Sequence, residues 1–286
     1  MAIDGLIKER AVRVGLVGYG LAGAAFHAPL ITSTPGLDLV AIMTSRDVPT
    51  GIAKAGSFDE LMAMDVDLVV VASPNDSHVP LARAALDVGA HVVVDKPLAV
   101  TVDEAESLVV HAEARGLLLS VFQNRRWDGD YLTLRQLVAD DQLGPIHRFE
   151  SRFERWRPEV SELWRESSDP ARGGGLLLDL GTHLIDQAVQ LFGRVESVYA
   201  EVRAIRPGAV VEDDVFVALR HQTGQLSHLW MSAVAAEQGP RMRAWGTRGA
   251  WSTSALDVQE DQLRAGRTPL DEGFGWNPPG RLNGAS

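Results

Sequence analysis

The glycine-rich stretch at residues 12–30 constrains the fold more than any other part of the chain. An alternating apolar run ends at Gly18, and Gly18, Gly20 and Gly23 follow in the spacing G-x-G-x-x-G before an alanine-rich segment. This order predicts a strand, a tight turn and a helix, with glycines that allow the turn, the approach of a pyrophosphate and close helix packing. A tight turn without a ligand is the alternative, but the flanking strand and helix favour dinucleotide binding at the helix N-terminus.

The composition excludes several classes of protein. A net charge of −11 argues against nucleic-acid binding, since no basic stripe can neutralise phosphates. The chain has no cysteine, and its eight histidines form no metal-binding cluster, so we expect no metal site. Because it shows neither a signal pattern nor an apolar run of about 20 residues, we expect a cytoplasmic protein without a membrane segment.

Apolar strand patterns and helix patterns alternate through the first part of the chain. We predict strands over residues 12–17, 37–44, 67–72, 91–94 and 117–122, and helices over residues 79–88 and 103–114. The alternation predicts an α/β fold, a doubly wound parallel sheet of the Rossmann type. We assign this dinucleotide-binding domain to residues 1–123.

The end of the second predicted strand bears on the choice of cofactor. About 20 residues beyond the glycines, where an acidic residue binds the ribose 2′-OH of NAD, the chain has Thr44, Ser45 and Arg46. Hydroxyls and a guanidinium suit a 2′-phosphate, which points to NADP. An Arg46 that is only solvated, with Asp47 serving the ribose, is the alternative, and NAD therefore stays possible.

Two more loops follow predicted strand ends, where ligands bind in parallel sheets. Residues 73–75 follow the third strand and are expected to line the cofactor, whereas His78 is either a cofactor contact or a packing residue. Lys96 follows the fourth strand, where a charge is costly unless it is used. Pro97 restricts the backbone next to that lysine.

From Gln123 onward the pattern changes. A polar and aromatic stretch is followed by a predicted helix at residues 131–139 and by period-two alternation from Ile146. Similar alternation recurs at residues 195–205, 214–221, 225–234 and 241–245. We predict an α+β substrate-binding and oligomerisation domain over residues 124–286, with an open, mainly antiparallel sheet. Its free face could pair with a second subunit.

A glycine-rich segment at residues 173–192 ends in an amphipathic helix. Asp179 and His183 are four residues apart, so they share one side of a helix. A carboxylate beside an imidazole can tune its proton affinity, whereas a helix-start acid and a packed histidine form the alternative.

Together these segments resemble the Gfo/Idh/MocA family of nicotinamide-dependent oxidoreductases. The resemblance rests on GYGLAG, SPNDSH, DKP in place of the more common EKP, and GGGLLLDLGTHLIDQ, in that order along the chain. The stretches FQNRRWDGDYLTL, FERWRP, LWRE and LDVQEDQLRAG resemble a bacterial subgroup that includes NADP-dependent scyllo-inositol dehydrogenases. Family members usually continue beyond the point that matches Gly280, so we expect a second domain that is short at its C-terminus.

The resemblance implies catalytic roles for Lys96, Asp179 and His183. The expected cofactor-binding residues are Gly18, Gly20, Leu21, Ala22, Gly23, Thr44, Ser45, Arg46, Ser73, Pro74, Asn75, His78, Asp95, Lys96, Gln123, Trp164 and Arg165. The expected substrate-binding residues are Lys96, Asn124, Arg126, Trp127, Arg157, Asp179 and His183. Structural ion pairs are the alternative for these arginines.

The resemblance implies a dehydrogenase that uses NADP, or NAD, on a small polyol or sugar and forms a homodimer or higher homo-oligomer. A non-catalytic NAD(P)-binding sensor on the same fold is the first alternative. An enzyme that keeps its cofactor bound and oxidises its substrate only transiently is the second.

Overall fold

A computed structural model describes residues 10–161, 166, 169 and 172–284 of the chain. These residues fold into two compact units. The first unit holds the described residues up to Phe122 together with Gln259–Phe274, and the second holds the rest. The single boundary at 123/124, which kept residues 259–274 in the second domain, stays a prediction.

Six parallel strands form the sheet of the first unit. In sheet order they are β3 (Ala53–Ala55), β2 (Leu37–Met43), β1 (Val12–Val17), β4 (Leu68–Val71), β5 (His91–Asp95) and β6 (Leu119–Phe122). Because β1 lies in the middle, the chain winds outward from it in both directions. The predicted doubly wound parallel sheet is confirmed.

Helices supply the apolar layers of this unit. They are α1 (Ala28–Ser33), α2 (Phe58–Met62), α3 (His78–Asp87) and α4 (Val102–Ala114). Successive residues of β4 enter different cores, since Val69 and Val71 pack with residues of α3 and α4 whereas Val70 packs with residues of α1. A parallel strand buried on both faces is therefore apolar throughout.

Seven strands form the sheet of the second unit. In sheet order they are β13 (Arg281–Asn283), β12 (Ala250–Thr253), β11 (Met242–Gly246), β7 (Ile146–Glu154), β10 (Leu226–Ser232), β9 (Asp214–His221) and β8 (Val195–Arg203). All neighbours are antiparallel except β7 and β10. The predicted second domain with a mainly antiparallel sheet is confirmed.

The two faces of this sheet differ in chemistry. One face packs against α5 (Gly129–Ala139) and α6 (Thr182–Phe192), whose apolar residues bury Phe149 and its neighbours. On strands β7 and β10 the other face carries cation and aromatic pairs, among them the Arg152 guanidinium 3.9 Å from the centre of the Trp230 ring. The alternation along β7 produces this difference, because successive side chains point to opposite faces.

Several short elements were not predicted from the sequence. They are β3, α2, β12, β13 and a helix, α7 (Gln259–Arg264). Over so few residues neither a helical nor a strand period can be recognised. Across the part of the chain that the structure describes, no helix is both long and apolar enough to cross a bilayer.

Candidate functional site

The glycine turn after β1 has the geometry of a nucleotide-binding turn. Gly18 has φ +94, and a Cβ there would lie 2.5 Å from the carbonyl oxygen of Ala72. A Cβ on Gly23 would strike the carbonyl oxygen of Gly18. A Cβ on Gly20, in contrast, would have no described atom within 4 Å. The outer glycines therefore serve packing, while the middle one leaves open the approach that a pyrophosphate needs, so the turn fits the expected cofactor.

The helix that follows this turn begins irregularly. Gly23–His27 forms a π-helical turn, and the α-helix α1 starts only at Ala28. The sequence predicted a regular helix here, but the π turn adds a residue to the turn. Such turns occur often at functional sites. Leu21 and Ala22 come directly before it, and Leu21 is exposed.

The loop after β2 presents polar groups to solvent. The Thr44 hydroxyl accepts the backbone N–H of Arg46 at 3.1 Å, and the carbonyl of Ser45 accepts the Lys54 ammonium at 3.1 Å. The Ser45 and Arg46 side chains are exposed. Among the described residues, the Arg46 guanidinium makes no hydrogen bond or ion pair, so it is available to a phosphate.

The loop after β4 is held by its own hydroxyls. The Ser73 and Ser77 hydroxyl oxygens are 2.6 Å apart, and the Ser77 hydroxyl donates to the carbonyl oxygen of Pro74 at 2.6 Å. Asn75 is buried in the short 3-10 turn that follows. Because Gly18 packs against Ala72 and Ser73, this loop and the glycine turn lie side by side.

His78 is buried at the start of α3, with 1% of its surface exposed. Its Nδ1 lies 2.8 Å from the carbonyl oxygen of Pro97, and its Nε2 lies 2.9 Å from that of Ser73. Both ring nitrogens thus face backbone oxygens. These contacts favour the packing alternative over a cofactor contact.

The residues around Lys96 form a small cluster, which we call the lysine-loop cluster (His27, Asp95 and Lys96), in which His27 is buried and the other two are partly buried. One carboxylate oxygen of Asp95 accepts the backbone N–H of Lys96 at 2.8 Å, and the other lies 3.5 Å from Nε2 of His27. Burial acts to raise the pKa of Asp95, but the neighbouring His27 imidazole, the charge of Lys96 and the hydrogen bond from the Lys96 backbone N–H outweigh it and lower that pKa. Asp95 is therefore ionised beside the lysine.

Asp179 and His183 lie where a second π-helical turn meets α6. The turn spans Leu177–Gly181, and His183 is buried in the first turn of α6. The edge of its ring meets Phe153, with ring centres 6.4 Å apart. The predicted regular helix thus holds for His183, whereas Asp179 lies on the wider π turn.

The predicted substrate residues at the start of the second unit differ in their surroundings. Residues 124–127 form a 3-10 turn that begins at Asn124, and the N–H of Arg126 donates to the carbonyl oxygen of Gln123 at 3.1 Å. The Arg126 guanidinium makes a two-pronged ion pair with Asp186 at 2.6 and 2.7 Å, which favours the structural alternative for this arginine. Trp127 is 65% exposed.

Three other predicted residues remain. Arg157 is exposed, and its backbone N–H donates to the carbonyl oxygen of Ala233 at 2.7 Å. Trp164 and Arg165 lie outside the described residues.

A group of buried charges near α5 was not predicted. We call it the carboxylate cluster (Asp128, Asp130, Asp257 and Arg241). The Arg241 Nε lies 3.7 Å from Asp130, and its Nη1 donates to the Ser151 hydroxyl at 2.5 Å. Asp257 accepts the N–H of Gly129 at 2.7 Å. No sequence signal marks the group, because its members come from separate elements.

Burial dominates the charge states in the carboxylate cluster. It raises the pKa of Asp128 to about 7, although the charge of Arg125, 3.5 Å away, acts to lower it. Burial also raises the pKa of Asp130. The same loss of water lowers the pKa of Arg241, because its charged form is disfavoured as well. Near neutral pH, the protonated and ionised forms of Asp128 are thus both populated.

Comparisons with known families cover most of the chain. Residues 12–123 match the family described as "Oxidoreductase family, NAD-binding Rossmann fold". Residues 131–252 match the "GFO/IDH/MocA C-terminal domain".

Individual proteins agree with these matches. The chain is 42% identical over 272 residues to the uncharacterized oxidoreductase YdgJ of Escherichia coli (strain K12), across 93% of this chain and 78% of that protein. It is 37% identical over 284 residues to scyllo-inositol 2-dehydrogenase (NADP(+)) IolW of Bacillus subtilis (strain 168), across 97% of this chain and 78% of that protein. The solved structure of yvaA from Bacillus subtilis has a TM-score of 0.89 and 35% identity, over 95% of this chain and 79% of that one.

Proposed function

Since the chain belongs to the GFO/IDH/MocA family of oxidoreductases, we propose that it transfers a hydride between a nicotinamide cofactor and a secondary alcohol or ketone. The substrate class we propose is a polyol, an inositol or a sugar. The relative named scyllo-inositol 2-dehydrogenase (NADP(+)) supports this class, since it is 37% identical over nearly the whole chain.

The position of Lys96 carries the proposal. Lys96 directly follows β5, which belongs to the same parallel sheet as β1 and the glycine turn. The carboxyl ends of parallel strands meet at one edge, where ligands of such folds bind. A lysine held there can donate a hydrogen bond to a substrate oxygen and stabilise negative charge as it develops.

We assign cofactor binding to the first unit and favour NADP. The nicotinamide supplies the hydride chemistry when bound. The glycine turn receives the pyrophosphate, while Thr44, Ser45 and Arg46 face the ribose and its 2′-phosphate. The exposed Arg46 guanidinium supports this preference, because phosphate oxygens match its forked donors.

We assign the proton to His183 and a positioning role to Asp179. During oxidation, His183 accepts the proton of the substrate hydroxyl, and in the reverse direction it returns that proton. Asn124, Trp127 and Arg157 are further substrate contacts that we propose, and Trp164 and Arg165 complete the set of cofactor contacts.

A screen with matched variants tests the function. Purified protein is incubated with NADP+ and a panel of inositols, polyols and aldoses, and the absorbance of reduced nicotinamide is followed. For a substrate that is turned over, we expect Lys96→Met to reduce kcat by about 10²–10³-fold, the typical loss for an electrostatic donor. The control Arg83→Met removes a cation of α3 that hydrogen-bonds Ser107, and its kcat should equal that of the unaltered protein.

Two results would contradict the function. If Lys96→Met turned over as fast as the unaltered protein, Lys96 would have no part in the reaction. Tight NADPH binding, measured by nicotinamide fluorescence, together with no turnover of any panel member would favour the sensor alternative. Comparison of NADPH with NADH in the same titration tests the NADP preference, which Arg46→Ala should weaken.

We also propose that the chain is cytoplasmic and forms a homodimer or higher homo-oligomer. Exposed apolar side chains along β8, among them Val198, Tyr199 and Val202, support an interface on the second sheet. Light scattering of the purified protein gives the oligomeric state directly. A mass equal to one chain would contradict this part of the proposal.

A further inference from the structure

Two buried histidines flank the segment that carries Lys96. His27 ends the π turn after β1, and His78 begins α3 after β4. Only 3% and 1% of their surfaces are exposed. They therefore come from two separate strand-end loops of one sheet, in which β1 pairs with β4 and β4 pairs with β5.

The backbone at Lys96 needs support beyond the sheet. Asp95 and Phe122 are the last residues that pair between β5 and β6, so Lys96 and Pro97 lie beyond the end of the strand pairing. The lysine side chain is long and flexible, and a small rotation of its backbone moves the amine far. A displacement of about 1 Å in a reacting group can cost about 10²-fold in rate.

His27 acts on the residue before the lysine. Its ring packs against Phe122, with centres 4.3 Å apart and planes inclined by 48°. This packing fixes the direction in which Nε2 faces the Asp95 carboxylate, 3.5 Å away. The other oxygen of that carboxylate accepts the N–H of Lys96 at 2.8 Å. His27 thus reaches the lysine backbone through Asp95.

His78 acts on the residue after the lysine. Its ring lies between the carbonyl oxygens of Pro97 and Ser73, at 2.8 and 2.9 Å. A single imidazole therefore contacts both the backbone that follows Lys96 and the start of the loop after β4. An apolar side chain of similar size would fill the space without making either contact.

We propose that His27 and His78 are positioning residues, which hold Lys96 from both sides at Asp95 and Pro97 without contacting substrate. The proposal rests on the proposed function only where it links the position of Lys96 to turnover. The position itself can be measured without any substrate.

The composition of the chain makes that measurement selective. Its only lysines are Lys8, Lys54 and Lys96. Trace labelling with acetic anhydride followed by mass spectrometry therefore reports the reactivity of the Lys96 amine, and the exposed Lys54 in the same sample is the internal reference. The readout is the Lys96/Lys54 labelling ratio between pH 7 and pH 10, a range chosen because an ordinary lysine amine titrates at about pH 10.4.

The variants are His27→Phe and His78→Phe, which keep the ring and remove the polar contacts. His221→Phe is the matched control, because His221 is equally buried but faces Gly193 and Ser227 in the second unit. We expect the labelling ratio to change by about threefold or more in the first two variants and to stay constant in the control. The affinity for NADPH should change by less than about threefold, whereas kcat should fall by about 10–100-fold, in line with a misplaced group.

Conservative and double variants separate positioning from loss of structure. His27→Gln and His78→Gln retain a donor and should restore part of the labelling ratio and of kcat, and they replace any Phe variant whose circular dichroism shows unfolding. In the Lys96→Met background, His27→Phe and His78→Phe should reduce kcat no further, because residues that act through one group are not additive.

The labelling ratio decides the outcome. An unchanged ratio in folded His27 and His78 variants would overturn the proposal. A changed ratio together with full turnover in Lys96→Met would leave the positioning role standing while contradicting the proposed catalytic function. Loss of NADPH binding as large as the loss of kcat would also overturn it, because the histidines would then act on the cofactor site.

Discussion

Burial acts to raise the pKa of carboxyl groups in both the partly buried lysine-loop cluster and the buried carboxylate cluster, yet the two clusters respond in opposite ways. In the first, His27 and Lys96 face a single carboxylate, and the pKa of Asp95 falls despite burial. In the second, Asp128 and its neighbouring carboxylates compete for few cations, and the pKa of Asp128 rises to about 7. The comparison shows that the polar and charged groups facing each carboxyl group decide the direction in which its pKa moves, since burial acts to raise both.

Removal of the central cation of the carboxylate cluster should lower the stability of the protein by the largest amount. Arg241 is almost fully buried, and its guanidinium also lies 4.1 Å from the centre of the Phe153 ring. We expect Arg241→Met to lower the free energy of unfolding by about 3–5 kcal/mol at pH 8, because the remaining carboxylates stay buried without compensation. Urea unfolding followed by tryptophan fluorescence measures it. A loss below about 1 kcal/mol would mean that the cluster carries no charge to compensate.

Neutralisation of Asp128 should have a smaller effect that depends on pH. The folded pKa of about 7 lies above the ordinary value of 3.8, so the folded state holds its proton more tightly and the protein loses stability as the pH rises towards 7. Asp128→Asn does not titrate. Its stability relative to the unaltered protein should therefore rise by about 2–3 kcal/mol between pH 5 and pH 8.

The exposed Asp140→Asn, at the other end of α5, is the matched control for that measurement. Its stability relative to the unaltered protein should be the same at both pH values. A relative stability of Asp128→Asn that does not change between pH 5 and pH 8 would contradict the raised pKa.

An exposed ion pair should give the smallest effect and shows what burial adds. Arg203 and Asp214 are 2.6 Å apart, but 59% of the arginine side chain is exposed. We expect Arg203→Ala to cost about 0–1 kcal/mol, since solvent screens such pairs. The same urea titration, repeated at high salt, should reduce even this cost. A loss of stability as large as that of Arg241→Met would show that burial does not determine the cost of removing an arginine.

Most of the fold could be predicted because its patterns are local. The continuous apolar runs indicated parallel strands buried on both faces, and the alternation along β7 indicated a sheet with one covered face. The two π turns could not be predicted, since Gly23–His27 and Leu177–Gly181 have the residues of ordinary helices. Their extra residue is decided by packing and not by local propensity.

The candidate site could be predicted only where backbone topology determines it. Strand ends converge in any parallel sheet, so Gly18, Ser73 and Lys96 were recognisable from their positions after apolar runs. Side-chain partners such as His27 for Asp95 were not, because the two are far apart in the sequence and nothing in either local pattern refers to the other. The carboxylate cluster escaped prediction for the same reason.

The helix α7 has a consequence for how this protein could be divided or recombined. It packs against the π turn after β1, and Leu263 is buried, yet the residues on both sides of Gln259–Phe274 belong to the second unit. The nucleotide-binding unit is thus made of two separate segments of the amino-acid sequence. A fragment that stops at Phe122 would lack one of its own helices, so an exchange of units between relatives must carry this later segment along to keep the unit whole.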